Sequence, residues 1–209
     1  AGFDVSDPDL PVLVTDSEEI ADRVAVMRLH GIDREVWGRY QSSKPKNNSW
    51  EYDIVEAGFK YNMSDIAAAI GRIQLKKADH MYRKRKKIAE YYLKRFEDYD
   101  FIRLPLSSKD HAWHLFIIHV NEERLDIGRD QFIRLLQEKQ IGTSVHFIPL
   151  HMMSYYKNTY GLKQGDFPVA AEKFRTAVSL PLYPGLSEEE VEYIVDSVIE
   201  IGEHHRRIR

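Results

Sequence analysis

The chain has 209 residues, 43% hydrophobic and 30% charged, with a formal net charge of -3 and no cysteine. That composition fits an ordinary globular protein of one large domain or two small ones, and the missing cysteines exclude disulfides, thiolate zinc sites and a cysteine nucleophile. The near-neutral balance also speaks against nucleic acid as the main partner, because phosphate binding shows as a strong basic excess.

An apolar run, Val12 to Thr15, comes almost at once, and this abrupt start leads us to expect a chain that is part of something longer. Asp16 or Ser17 caps a predicted helix over SEEIADRVAVMRLHG, with acidic residues where free backbone N–H groups point. Ile20, Val24 and Met27 recur at helical spacing and Gly31 stops the run. Residues 32–57 lack a sustained period and read as a long loop with a short extended piece near Trp50 to Val55. Ser64 then caps a helix that the pattern carries to Phe96, ~50 Å at 1.5 Å per residue. A helix of that length bridges two domains, or bends near Gly71 or His80. The basic run Arg83 to Lys87 reads as a solvated helix face, since no aromatic platform accompanies it.

After Pro105 the pattern turns to sheet. HAWHLFIIHV (111–120) and TSVHFIPL (143–150) read as strands flanking an amphipathic helix, 128–142, with Phe132, Leu135 and Leu136 inward and Gly142 as its stop. FPVAAEKFRTA (167–177) is a short helix with proline in its first turn, and VSLPLYP follows as an extended segment. Ser187 and Glu190 form a capping box for a last helix that buries Val191, Ile194, Val195, Val198 and Ile201. The expected fold class is α/β with a compact α+β small domain. The division is 1–63, a thin remnant of a larger domain; 64–98, a connecting helix; and 99–209, the small C-terminal domain. The first 60 residues are too few to bury a core alone. No apolar run approaches the ~20 residues that cross a bilayer, and no leader pattern opens the chain, so the expectation is a cytoplasmic protein without membrane contact.

Five of the nine histidines, His111, His114, His119, His146 and His151, fall in the sheet region. His111 and His114 lack the i, i+4 spacing of a helical zinc pair, and His114 and His119 have opposite parity on one strand, so no metal site is expected. His146 stands at a strand end beside a proline stop. From its chemistry alone it is equally a hydrogen-bonded strand histidine or a cleft-lining one. No G-x-S-x-G elbow, P-loop or dinucleotide fingerprint occurs. The stretch GFKYNMSDIAAAIGRIQL (58–75) is different: Lys60 and Asn62, two apart in an extended segment, share a face just ahead of a helix start. A cation and an amide pointing together can hold an anion. The plainer reading is a surface lysine and a turn asparagine.

GFKYNMSDIAAAIGRIQL, HAWHLFIIHV, QIGTSVHFIPLH and SLPLYPGLSEEE, in this order, resemble the sugar aminotransferases of the DegT group, which are fold-type I pyridoxal-phosphate enzymes. The likeness runs from Val12 to the C-terminus and looks nearest to members that aminate a 4-keto nucleotide sugar, of the 4-amino-4-deoxyarabinose type. The resemblance implies the C-terminal part of a pyridoxal-phosphate transferase fold, with the long helix between domains. The implied reaction moves an amino group from glutamate, through pyridoxal phosphate, to a nucleotide-linked keto sugar. It further implies that Lys60 and Asn62 reach across a homodimer interface to the cofactor, that His146 lies near the substrate, and that Trp37, Tyr40 and Trp50 border the nucleotide entrance. The family's Schiff-base lysine lies just ahead of the strand that VLVTD resembles, near Phe3, where this chain has none. The chain alone is therefore expected not to transaminate, its other half lying upstream. The competing expectation is a non-catalytic fragment that serves only for association. A dehydratase-like relative with histidine in place of the lysine is the third.

Overall fold

The computed structural model describes residues 13–32 and 52–207. Its elements run α1 (Glu18–Met27), α2 (Asp65–Phe96), β1 (Ile102–Arg103), β2 (Phe116–Val120), α3 (Arg129–Glu138), α4 (Ser154–Tyr160), α5 (Pro168–Thr176), β3 (Ala177–Leu180) and α6 (Glu188–His204), with 3-10 turns at Leu150–Met152 and Gln164–Asp166. Backbone contacts divide the chain into two units, Ala1–Lys77 and Ala78–Arg209, and the division falls inside α2. Among the described residues no helix is long and apolar enough to cross a membrane.

Among the described residues the core belongs to the second unit. It is built on an antiparallel sheet of order β1-β2-β3, with Ile102 opposite Val120 and Phe116 opposite Leu180. Alternation along β2 buries Phe116, Ile118 and Val120, while all four residues of β3 are buried. The C-terminal part of α2 packs against this layer through Ile88, Ala89, Tyr92 and Phe96. The Tyr92 ring meets Phe116 edge-on at 5.0 Å, and its hydroxyl donates to the Pro181 carbonyl at 3.0 Å. Burial, and then Tyr183 nearby, raise its pKa above the ordinary phenol range. Helix α6 buries Val191, Ile194, Val195, Val198 and Ile201, the five residues expected of it. Its capping box closes as read from the sequence: Glu190 N–H donates to Ser187 Oγ at 3.1 Å, and Ser187 N–H donates to Glu190 Oε2 at 2.7 Å.

Unit one is built differently. Helix α1 has no buried residue, and Ile66, Ile70, Ile73 and Leu75 in the first turns of α2 are all exposed. Among its described residues no apolar side chain is buried.

Four sequence expectations need correction. Leu13 to Thr15 form no strand, and Val12 lies outside the described residues. The strand expected over 111–120 begins only at Phe116, because residues 111–113 make a turn: Trp113 takes φ +48°, its N–H donates to His111 Nδ1 at 2.9 Å, and the two rings stack at 4.0 Å. His114 is therefore off the strand. The strand expected over 143–150 reduces to one bridge, Ser144 to Ser179, on the free edge of β3. Helix α3 ends before Gly142, where Gln140 turns left-handed at φ +60°. There Ile141 N–H bonds Leu136 O and Gln140 N–H bonds Gln137 O, a Schellman closure without glycine. Helix α4 lies in a segment the periodicity left unassigned.

Two measurements check this packing. A Cβ at Gly202 in α6 would sit on the buried ring of Phe101, so Gly202→Ala should destabilise the fold by about 1–3 kcal/mol in urea unfolding; an unchanged midpoint refutes the close approach. His119 is half-buried, with Nδ1 at 3.0 Å from Thr176 Oγ1. Burial, then Lys173 and Arg103, lower its pKa below the ordinary 6.5. The unfolded chain thus takes up this proton first, and the stability His119 confers above pH 6.5 is lost as pH falls below that value. Between about pH 7.5 and about pH 5.5, His119→Gln should lose less stability than the parent; equal losses would contradict the assignment.

Candidate cofactor- and substrate-binding residues

Residues 54–62 form an extended arm laid against the end of α1. The arm is held by backbone: Phe59 N–H donates to Met27 O at 2.7 Å, Tyr61 N–H to Arg28 O at 2.8 Å, His30 N–H to Phe59 O at 2.8 Å, and Val55 N–H to Gly31 O at 2.9 Å. Leu29 and Lys60 pair as an antiparallel bridge. Such an approach requires glycine on both sides. Gly31 is left-handed at φ +75° and a Cβ there would strike Glu56 O; one on Gly58 would strike the backbone of Gly31. An Arg23–Glu56 ion pair closes the loop from outside.

Alternation then sorts the side chains. Phe59 and Tyr61 fall on one side, their rings stacked at 5.1 Å, and Lys60 and Asn62 fall on the other. Both Lys60 and Asn62 are exposed, and neither makes a side-chain hydrogen bond or ion pair with another described residue. Directly after them Ser64 caps α2, its Oγ accepting from Ala67 N–H at 3.3 Å, as expected. An ammonium with three donors and an amide NH2 with two, on one face of an extended segment, match the oxygens of a phosphate.

His146 belongs to the second unit. It is half-buried, follows the Ser144–Ser179 bridge, and its Nδ1 lies 2.8 Å from Ser179 Oγ. Phe147 stands edge-on to its ring at 4.6 Å. Of the two readings left open by the sequence, the hydrogen-bonded histidine describes one edge of the ring. The Nε2 edge makes no bond among the described residues. The structure thus brings Lys60 and Asn62 together in one unit and places His146 in the other. Trp37, Tyr40, Trp50 and Phe3 lie outside the described residues. Among the described residues no group of three or more His, Asp or Glu could hold a metal ion. Ser179 went unnoticed in the sequence; its one signal is a polar residue inside the apolar run AVSL.

Residues 12–199 match the family model of the DegT/DnrJ/EryC1/StrS aminotransferases. Among curated proteins, the chain is 45% identical over 197 residues to the uncharacterized protein MJ1066 of Methanocaldococcus jannaschii, covering 93% of this chain and 50% of that one. It is 40% identical over 193 residues to the spore coat polysaccharide biosynthesis protein SpsC of Bacillus subtilis, covering 91% and 49%. The chain therefore spans about half the length of the curated relatives it matches. Among solved structures it resembles Spr1654 of Streptococcus pneumoniae, assigned as a sugar aminotransferase. The PMP form of Spr1654 superposes with a TM-score of 0.77 at 31% identity, covering 91% of this chain and 46% of that one. A PLP form of the same protein gives 0.75 at 30%.

The arm's dependence on glycine is open to test. In Gly58→Ala the new methyl meets backbone, which no rotamer change relieves, so the cross-strand NOEs joining Met27 to Phe59 and Arg28 to Tyr61 should vanish while those of the sheet persist. Retention of both sets would show that the arm is held by something other than this close approach.

Proposed function

The chain belongs to the DegT/DnrJ/EryC1/StrS aminotransferase family, and from that membership we propose that it provides phosphate-binding and substrate-binding residues to a pyridoxal-phosphate sugar aminotransferase. Its fold is the aminotransferase-like α/β fold of its structural neighbours. The proposed reaction carries an amino group from glutamate to a keto sugar linked to a nucleotide, at the ring position used by the 4-amino-4-deoxyarabinose type, in a cytoplasmic homodimer. SpsC, whose name places it in polysaccharide biosynthesis, and Spr1654, with its PLP and PMP forms, support the substrate class and the cofactor.

The observation that carries this reading is the ammonium of Lys60 beside the amide of Asn62, neither with a side-chain partner among the described residues, on one face of an arm fixed by backbone bonds. In the proposed enzyme these two groups bind the phosphate of the cofactor, Lys60 by charge and Asn62 by hydrogen bonding. His146 orients the substrate through a ring whose other edge is already anchored. When bound, pyridoxal phosphate supplies an electron sink for charge developing at the amino-bearing carbon. No lysine of this chain is given the role of bonding that cofactor covalently. A role in association alone is the second reading, favoured by the exposed apolar residues of the first unit.

Cofactor retention separates the two. In the native holoenzyme, Lys60→Ala and Asn62→Ala should each weaken pyridoxal phosphate binding about tenfold or more, as expected for removing a hydrogen bond to a charged group, with the circular dichroism spectrum unchanged. Full retention in both variants would remove the arm from the site and leave association as the surviving role.

A further inference from the structure

The histidine placed against the substrate is itself held by a residue outside the expected site. We propose that Ser179 is a positioning residue that fixes His146 as the tautomer protonated at Nε2, so that the ring meets its ligand as a hydrogen-bond donor.

Ser179 is 4% exposed and its backbone is clamped from both sides. It pairs with Ile117 of β2 on one edge. On the other it exchanges two hydrogen bonds with Ser144, Ser179 N–H to Ser144 O at 2.8 Å and Ser144 N–H to Ser179 O at 3.2 Å. Its hydroxyl makes one bond among the described residues, the 2.8 Å contact to His146 Nδ1.

That single contact settles the polarity. A hydroxyl has one hydrogen, and a neutral imidazole has one N–H. If Nδ1 carried the ring proton it would donate to Oγ, and the serine hydrogen would be left without an acceptor in a buried place. If Oγ–H donates to Nδ1 instead, the hydroxyl hydrogen is paired and the ring proton resides on Nε2. Buried polar hydrogens are paired in native proteins, so the second arrangement holds.

The consequence for the site rests on the aminotransferase reading, whereas the tautomer rests on geometry alone. With its proton on Nε2, His146 offers an N–H to an acceptor oxygen of the substrate and has no lone pair at that atom for removing a proton. It orients rather than abstracts.

Two-bond 1H–15N correlation spectra of the 209-residue chain, recorded well above the ordinary imidazole pKa, report each ring nitrogen separately. The expected pattern is Nε2–H for His146 in the parent, the same pattern in Ser179→Thr, which keeps the hydroxyl, and a mixture of both tautomers in Ser179→Ala. An Nδ1–H pattern in the parent, or an unchanged pattern in Ser179→Ala, overturns the proposal. Should Ser179→Ala fail to fold, the parent and threonine spectra still decide, because either of them showing Nδ1–H is fatal. Loss of the Lys60 and Asn62 role would leave these spectra unaffected, so the two readings fail separately.

Discussion

Among the described residues, apolar burial happens at one place, the face of a three-stranded antiparallel sheet, and most other features follow from that concentration. Phe116, Ile118 and Val120 point inward from β2, Tyr92 and Phe96 close one side from α2, and Val195 and Val198 contribute from α6. At roughly 1.5–3 kcal/mol for each large side chain removed from water, such a cluster is what offsets the conformational entropy of ordering the second unit. Because β3 is buried along its whole length, a polar residue within it is tolerated only with its hydrogen bond made. Ser179 meets that condition through His146, so the packing of the core and the orientation of a proposed substrate contact are one requirement.

Unit one solves a different problem with a different force. Its geometry comes from main-chain hydrogen bonds between the end of α1 and the arm, and from two glycines that let the strands touch. Backbone bonds fix direction and register better than side-chain burial does, which suits a segment that must present two polar groups on a chosen face. They leave apolar residues such as Ile66 and Leu75 in water. The relatives are about twice as long as this chain, and in the proposed enzyme those residues meet further protein.

Local chemistry was legible from the sequence wherever one residue type has one strong preference. Ser187 with Glu190, Ser64 before Ala67, and the five inward residues of α6 were all readable, because capping and helical period are short-range effects. The strand limits were not. Residues 111–115 carry strand-like side chains, yet the burial of Trp113 and its bond network with His111 and Arg85 demand a turn, a tertiary effect no local pattern encodes. Gln140 in place of Gly142 as the helix stop is the same lesson. That Lys60 and Asn62 share a face follows from parity, whereas the lack of a side-chain partner for either among the described residues could not be read from it. Ser179 escaped because its significance lies in a residue 33 positions away.

The C-terminus of the second unit returns to where its sheet begins. Arg206 bridges Asp100 at 2.8 Å and Arg207 N–H bonds Arg124 O at 2.8 Å, while Leu125 pairs with Arg206 across the same seam. Residues 206 and 207 therefore act as a strap that ties the end of α6 both to Asp100, ahead of β1, and to Arg124 and Leu125, after β2, so a cut after His204 would unfasten both loops at once.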